Sequence, residues 1–173
     1  ATTHAATNTQ RPLDFMDGYG MLNQIVTAKT GAAIATSELL PYLEGKLSGF
    51  AYRVPTQDGS FSTMVVVVSG EEVSAKRINA VLEAAQTDQR YCGRLDYFRG
   101  KEAASTDLMG NTASAVIVAS KTSALPLPFT VEVKRGDQRL HHPTALVCIV
   151  SGYDNERGPS QDQALLTNYI ATR

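Results

Sequence analysis

Residues 60–69 read SFSTMVVVVS, and the unbroken run Val65–Val68 decides the class of fold. Four successive β-branched side chains suit a strand and disfavour a helix, and with no alternation they predict a strand buried on both faces. Immediately upstream, LSGFAYRVP (47–55) reads as a second strand, joined to the first through TQDG (56–59), whose composition is that of a turn. Downstream, SAKRINAVLEAAQ (74–86) sets Ile78, Val81, Leu82 and Ala85 at helical spacing behind Ser74, a residue suited to an N-cap. The centre of the chain is therefore strand, strand, helix, with the helix lying on a sheet.

Working outward, GRLDYF (93–98), ASAVIVAS (113–120), FTVEVKR (129–135) and TALVCIVSG (144–152) read as further strands. The last two are separated by Gly136-Asp137 and a polar stretch ending HHP. The C-terminal GPSQDQALLTNYIATR (158–173) carries Pro159 where a first helical turn accepts it, and an apolar stripe of Leu165, Leu166, Tyr169 and Ile170. Near the start, TGAAIATSELLPYL (30–43) predicts a short, closely packed helix with Thr30 as cap and Pro41 as its limit. Residues 11–29, with Gly18 and Gly20, show no periodicity and read as a long surface loop, a feature uncommon in compact domains unless it binds something. Runs of strand broken by few helices predict an α+β fold: a largely antiparallel or mixed β-sheet with helices packed on one face.

Composition sets the outer limits. A chain of 173 residues is one domain by length and can bury roughly 70% of its unfolded surface without staples. A net charge of -1 provides no field for nucleic acid or anionic lipid. No apolar stretch is long enough to insert in a membrane, and no targeting segment is visible, so the default expectation is the cytoplasm, with an organelle as the alternative. Cys92 and Cys148 lack any metal or disulfide spacing and are expected to be buried, inert thiols. His141 and His142, adjacent in a strand, point to opposite faces, so no metal site is expected.

In order along the chain, TTHAATNTQ (2–10), KTGAA (29–33), YLEGKLSGFAYRVPT (42–56), STD (105–107) and SGYDNE (151–156) resemble the catalytic, C-terminal domain of the glyceraldehyde-3-phosphate dehydrogenases. The separation of RVPT and YDNE, with TGAA upstream, makes the signal specific; each string alone is weak. The resemblance covers residues 1–173 as a substrate-side catalytic domain, apparently starting partway through a strand, which leads us to expect a truncated chain.

The resemblance implies the following chemistry. A cysteine thiolate attacks an aldehyde, a histidine takes the proton, hydride passes to NAD or NADP, and inorganic phosphate cleaves the thioester. By motif position, His4 matches the base. Thr7, Thr9 and Arg53 match the site for the phosphate of a small phosphorylated substrate, and Thr30 and Gly31 the site for the attacking inorganic phosphate. Hydroxyls, a guanidinium and backbone N–H groups suit such anions. Asn155 matches the residue contacting the nicotinamide carboxamide, which needs both a donor and an acceptor. Glu156 matches its structural neighbour, while Tyr153 and Asp154 read as local scaffolding. An oligomer, or a place in a larger complex, is also implied.

Several departures weigh against simple inheritance of that activity. No G-x-G-x-x-G turn and no S-C-T-T-N nucleophile string occur, so the cofactor's main binding domain and the thiolate are expected outside this chain, and the lone chain is expected to be inactive. The loop at 11–29 is shorter than the family's and lacks its arginine-rich stretch. Gly152 stands where the family commonly has Trp, Arg157 follows Glu156, and Pro159 replaces an aromatic residue. The segment at 121–145 is longer than its family counterpart and is expected to be an inserted hairpin used in protein contacts. The competing reading is a non-catalytic, dehydrogenase-derived structural or interaction subunit.

Overall fold

The computed structural model describes residues 2–5, 25–135 and 138–172, the first four and Arg135 by backbone alone. In chain order the strands are β1 (Thr2–Ala5), β2 (Val26–Ala28), β3 (Ala51–Val54), β4 (Ser60–Ser69), β5 (Leu95–Phe98), β6 (Ala115–Val118), β7 (Ser123–Arg135) and β8 (Gln138–Tyr153). The helices are α1 (Ala32–Leu39), α2 (Ala75–Ala85) and α3 (Arg157–Ala171). All eight strands belong to one sheet, ordered β2-β3-β1-β4-β8-β6-β5, with β7 paired to β8. The β1–β3 and β5–β6 pairs are parallel and the others antiparallel, so the fold is the α+β class with a mixed sheet.

The ten-residue strand β4 coincides with the valine-rich stretch and pairs with β8 over its full length, from Ser60↔Tyr153 to Ser69↔Thr144. The expected burial on both faces is not found. Val65 and Val67 are each 56% exposed, and Leu146 opposite Val67 is exposed as well. The reason is uneven cover. Met64, Val66 and Val68 line a cavity of about 700 Å³ beneath Ile78, Val81 and Leu82 of α2, whereas on the opposite face the cover given by Leu108 reaches Phe61 and Gly152 but leaves Val65 and Val67 exposed.

Helix α2 starts as its sequence predicts: Ser74 is the N-cap and its Oγ accepts from Arg77 N at 3.2 Å. At α1 the cap is Gly31, one residue beyond the expected Thr30, whose Oγ1 accepts from Ala32 N at 3.2 Å. Neither Ile34 nor Leu39 of α1 is packed closely; both are exposed. The stripe on α3 is likewise uncovered at Leu166, Tyr169 and Ile170. Most of the loop expected over 11–29 lies outside the described residues, and its end, Val26–Ala28, is not loop but the edge strand β2.

A hydrophobic cluster sits at the C-terminal end of β8, where Leu108, Ala113 and Val116 are buried with Phe61 and Phe98 against them. Gly152 lies under this cluster. A Cβ there would collide with the Leu108 side chain and stand 3.0 Å from the Phe61 ring, so Leu108, fully buried, occupies the space that a side chain at 152 needs. The Trp-to-Gly departure noted in the sequence thus has a packing counterpart.

Between Leu127 and Thr130 the β7–β8 register shifts, and beyond it the two strands continue as a pair alone. Residues 138–143 of β8 lie past the end of β4, which stops at Ser69↔Thr144. Pro143 is tolerated there because no central ladder needs its missing N–H; its carbonyl accepts from Gly70 N at 3.0 Å.

Candidate functional site

Strand pairing gathers three of the matched residues at one end of the sheet. His4 on β1 is in register with Arg53 on the parallel strand β3, and Arg53 also faces Val26 on β2. On its other side β1 pairs with β4, Thr3 opposite Phe61, one step from Ser60 at the start of β4. Ser60 faces Tyr153 at the end of β8. The row Arg53, His4, Ser60, Tyr153 therefore crosses four neighbouring strands, and Asn155 follows directly from it.

Asn155 is held by residues that no motif pointed out. The fully buried Ser60 donates its hydroxyl to Asn155 Oδ1 at 2.7 Å, and Asn155 N donates to Asp58 Oδ1 at 3.2 Å. Asp58 Oδ1 also accepts from Gly59 N at 2.5 Å, closing the turn whose Gly59 adopts φ +84°. A Cβ at Gly59 would meet the Ser105 backbone oxygen at 3.0 Å, so the left-handed conformation and the close approach both require glycine. Thr56 and Ser105 hydroxyls share a 3.2 Å hydrogen bond, which ties the RVPT string to the STD string. The composition of QDG signals a turn, but its partner cannot be read from it.

Asp154 does the scaffolding expected of it. It is 3% exposed; its Oδ1 accepts from Glu156 N at 2.9 Å and Arg157 N at 2.7 Å, and its Oδ2 from Gly110 N at 2.7 Å. The first two bonds satisfy N–H groups at the start of α3, and the third anchors the loop after the STD turn. Burial alone pushes this carboxyl up, but the three N–H donors and the Arg157 charge together hold it below the ordinary carboxylate range. Glu156 shifts the other way. Desolvation, then the negative charge of Asp58, a hydrogen bond shared with Asp58 and the charge of Asp154 all raise it.

The carboxylates of Asp58, Asp154 and Glu156 offer ligand atoms within 4.8 Å of one another. Both Asp154 oxygens are already occupied by backbone donors, so the donor set is that of a hydrogen-bonded turn more than of a cation cage.

Thr30 and Gly31 stand apart from this row. They follow β2, which runs antiparallel to β3 toward Ala51, so they lie near the beginning of β3, where a Gly49 Cβ would meet Thr30 Cγ2 at 3.5 Å. Thr7 and Thr9 lie outside the described residues. The two cysteines differ from expectation: Cys92 is exposed and Cys148 half-buried. Cys92 sits in the turn after α2, beside Gly93 at φ +75°.

The Asn155 side chain is half-buried and fixed through Oδ1, and its Nδ2 is free among the described residues to donate.

The family profile of the glyceraldehyde 3-phosphate dehydrogenase C-terminal domain matches residues 1–134. The chain is 36% identical over 179 residues to glyceraldehyde-3-phosphate dehydrogenase of Glossina morsitans morsitans, covering 99% of this chain and 47% of that protein. It is 34% identical over 178 residues to glyceraldehyde-3-phosphate dehydrogenase 2 of Caenorhabditis elegans, with 99% and 46% covered. Against the Schistosoma mansoni enzyme the figures are 34% over 165 residues, 92% and 43%. The chain thus spans less than half the length of these curated relatives. With its profile match, its end-to-end similarity to these dehydrogenases and its mixed α+β sheet, the chain belongs to the glyceraldehyde-3-phosphate dehydrogenase family and corresponds to its C-terminal domain.

Proposed function

We propose that this chain is the substrate-side part of a phosphorylating aldehyde dehydrogenase acting on a small phosphorylated aldehyde, with the thiolate and the nucleotide-binding domain supplied from outside these residues. The observation that carries the reading is the in-register pairing of His4 with Arg53, at the same sheet end as Asn155. In this reading His4 takes the proton from the hydroxyl of the thiolate–aldehyde adduct, which lets the carbonyl re-form as hydride leaves. Arg53, with Thr7 and Thr9, holds the substrate phosphate. A guanidinium at a fixed sheet position sets the distance from that phosphate to the reacting carbon. Thr30 and Gly31 line the place of the attacking phosphate, where the N-terminal N–H groups of α1 add to the hydroxyl. Asn155 orients the nicotinamide, which accepts the hydride when bound.

The exposed stripe of α3 and the open sheet face around Val65, Val67 and Leu146 support further protein against both, as an oligomer and a companion domain would provide. A non-catalytic subunit is the second reading, favoured by the long β7–β8 pair that extends beyond the sheet. Calorimetric titration with inorganic phosphate separates the two. Binding that Arg53→Ala removes, with the circular dichroism unchanged, supports a working anion site. No binding by the unmutated chain leaves the scaffold reading. Peptide sequencing upstream of Ala1 in the source protein supplies the complementary test, since the enzyme reading requires a nucleophilic cysteine there or on a companion chain.

A further inference from the structure

The two-stranded arm formed by residues 130–135 and 138–143 stands beyond the sheet, about 20 Å long at 3.3–3.4 Å per residue. Pairing within it sorts its side chains by face. Val131 faces His142 and Val133 faces Leu140 on one side; Glu132 faces His141 and Lys134 faces Arg139 on the other. Val131, Val133 and Leu140 are all exposed. An isolated two-stranded ribbon with a bare apolar face is at best marginally stable in water, so this arm gains by acquiring a neighbour.

Its outer edge indicates which neighbour. Among the described residues β7 has no partner on that edge, and Pro126 and Pro128 block ladder formation before the arm while residues 129–135 contain no proline. We propose that this edge pairs with the same edge of a second copy of the chain, antiparallel and centred on Val133. In that register Glu132 of each copy faces Lys134 of the other, twice over, and Leu140, Val133, Val133 and Leu140 form one apolar row across the two arms. Charge and proline together select the register: centring on Val131 would set Pro128, which has no N–H to give, opposite Lys134. Shifting the centre to Glu132 sets Glu132 against itself, shifting it to Lys134 sets Lys134 against itself, and an odd shift puts charged side chains on the apolar face.

The opposite edge of the arm offers no such match, because self-pairing about Leu140 sets Arg139 against His141. Glu132 already lies 3.5 Å from Arg139 within its own arm, so at the joint it would sit between two cations. Pairing of β7 to the β8 edge of another copy would build an open filament, whereas pairing about Val133 closes as a twofold dimer. This joint does not depend on the dehydrogenase reading.

The test uses a Cys92→Ser background, which removes the exposed native thiol. In it Val133→Cys should form a disulfide-linked dimer under mild oxidation, since directly opposed strand residues have Cα atoms about 4.5–5.5 Å apart, within disulfide range. Lys76→Cys, on the exposed side of α2, serves as the reference. Glu132→Lys or Lys134→Glu alone should weaken dimerisation about ten-fold, and the double reversal should restore it, with the new carboxylate at position 134 then opposite Arg139. Circular dichroism checks that each variant folds. Cross-linking at Val133 no greater than at Lys76, single reversals without effect, a double variant no better than either single, or growth into filaments instead of dimers would each overturn the proposal.

Discussion

The Ser60 hydroxyl reaches across 95 positions of sequence to the side-chain oxygen of Asn155, at 2.7 Å. Ser60 has no exposed surface, so its bond cannot be replaced by water without moving the strand. Ser60→Ala should cost about 1–2 kcal/mol in urea unfolding. In a protein that includes the nucleotide-binding domain, it should also raise the apparent Kd for the nicotinamide cofactor, because Asn155 would no longer be held. An unchanged Kd would show that Ser60 serves folding only.

Asp154 joins the start of α3 to the loop after the STD turn through three backbone donors. Asp154→Ala should destabilise by about 2–4 kcal/mol, since it strands buried N–H groups and removes a charge-assisted acceptor. Its folded value is depressed, so its contribution is fully present above the unfolded carboxylate range and is lost as pH falls through the folded value. Unfolding curves compared between pH 7 and pH 3 should show the difference between wild type and Asp154→Ala narrowing toward acid.

Glu156 should behave with the opposite sign. Its folded value is raised, so the native state binds more protons than the unfolded one across the interval between the two, and stability falls as pH rises through it. Glu156→Gln removes the repulsion from Asp58 and Asp154, and should raise the thermal midpoint at pH 7. That gain should disappear at pH values below the carboxylate range, where Glu156 is protonated in both states. A gain independent of pH would point to packing instead of charge.

Gly152 and Leu108 occupy one space. Gly152→Ala should cost about 1–3 kcal/mol because the new methyl meets the Leu108 side chain. Leu108→Ala alone should cost about 2–5 kcal/mol as a cavity. The double variant should cost less than the sum, and a double-mutant cycle with no coupling would dissociate the two positions.

Much of the frame was legible in the chain itself. The run SFSTMVVVVS matched β4 residue for residue, and Ser74 marked the start of α2, because β-branched propensity and capping are local properties. Motif order indicated the family, and strand register then brought His4 to Arg53. Exposure differs from expectation at Val65, Val67, Leu39 and Cys92, since apolar character says that a side chain favours cover but not that the described residues provide one. The polar stretch before His141 belongs to β8, where the β7 partner outweighs weak local propensity.

Local pattern and strings in fixed order carry the class of fold, the family and the identity of the matched residues. It takes the folded chain to show that Ser60 and Asp58 hold Asn155, that Leu108 fills the place above Gly152 and that, among the described residues, the sheet face around Val65 and Val67 lies open and the β7 edge is unpartnered. Those facts depend on contacts between residues tens of positions apart, and on which surfaces the chain leaves uncovered; no local period encodes either.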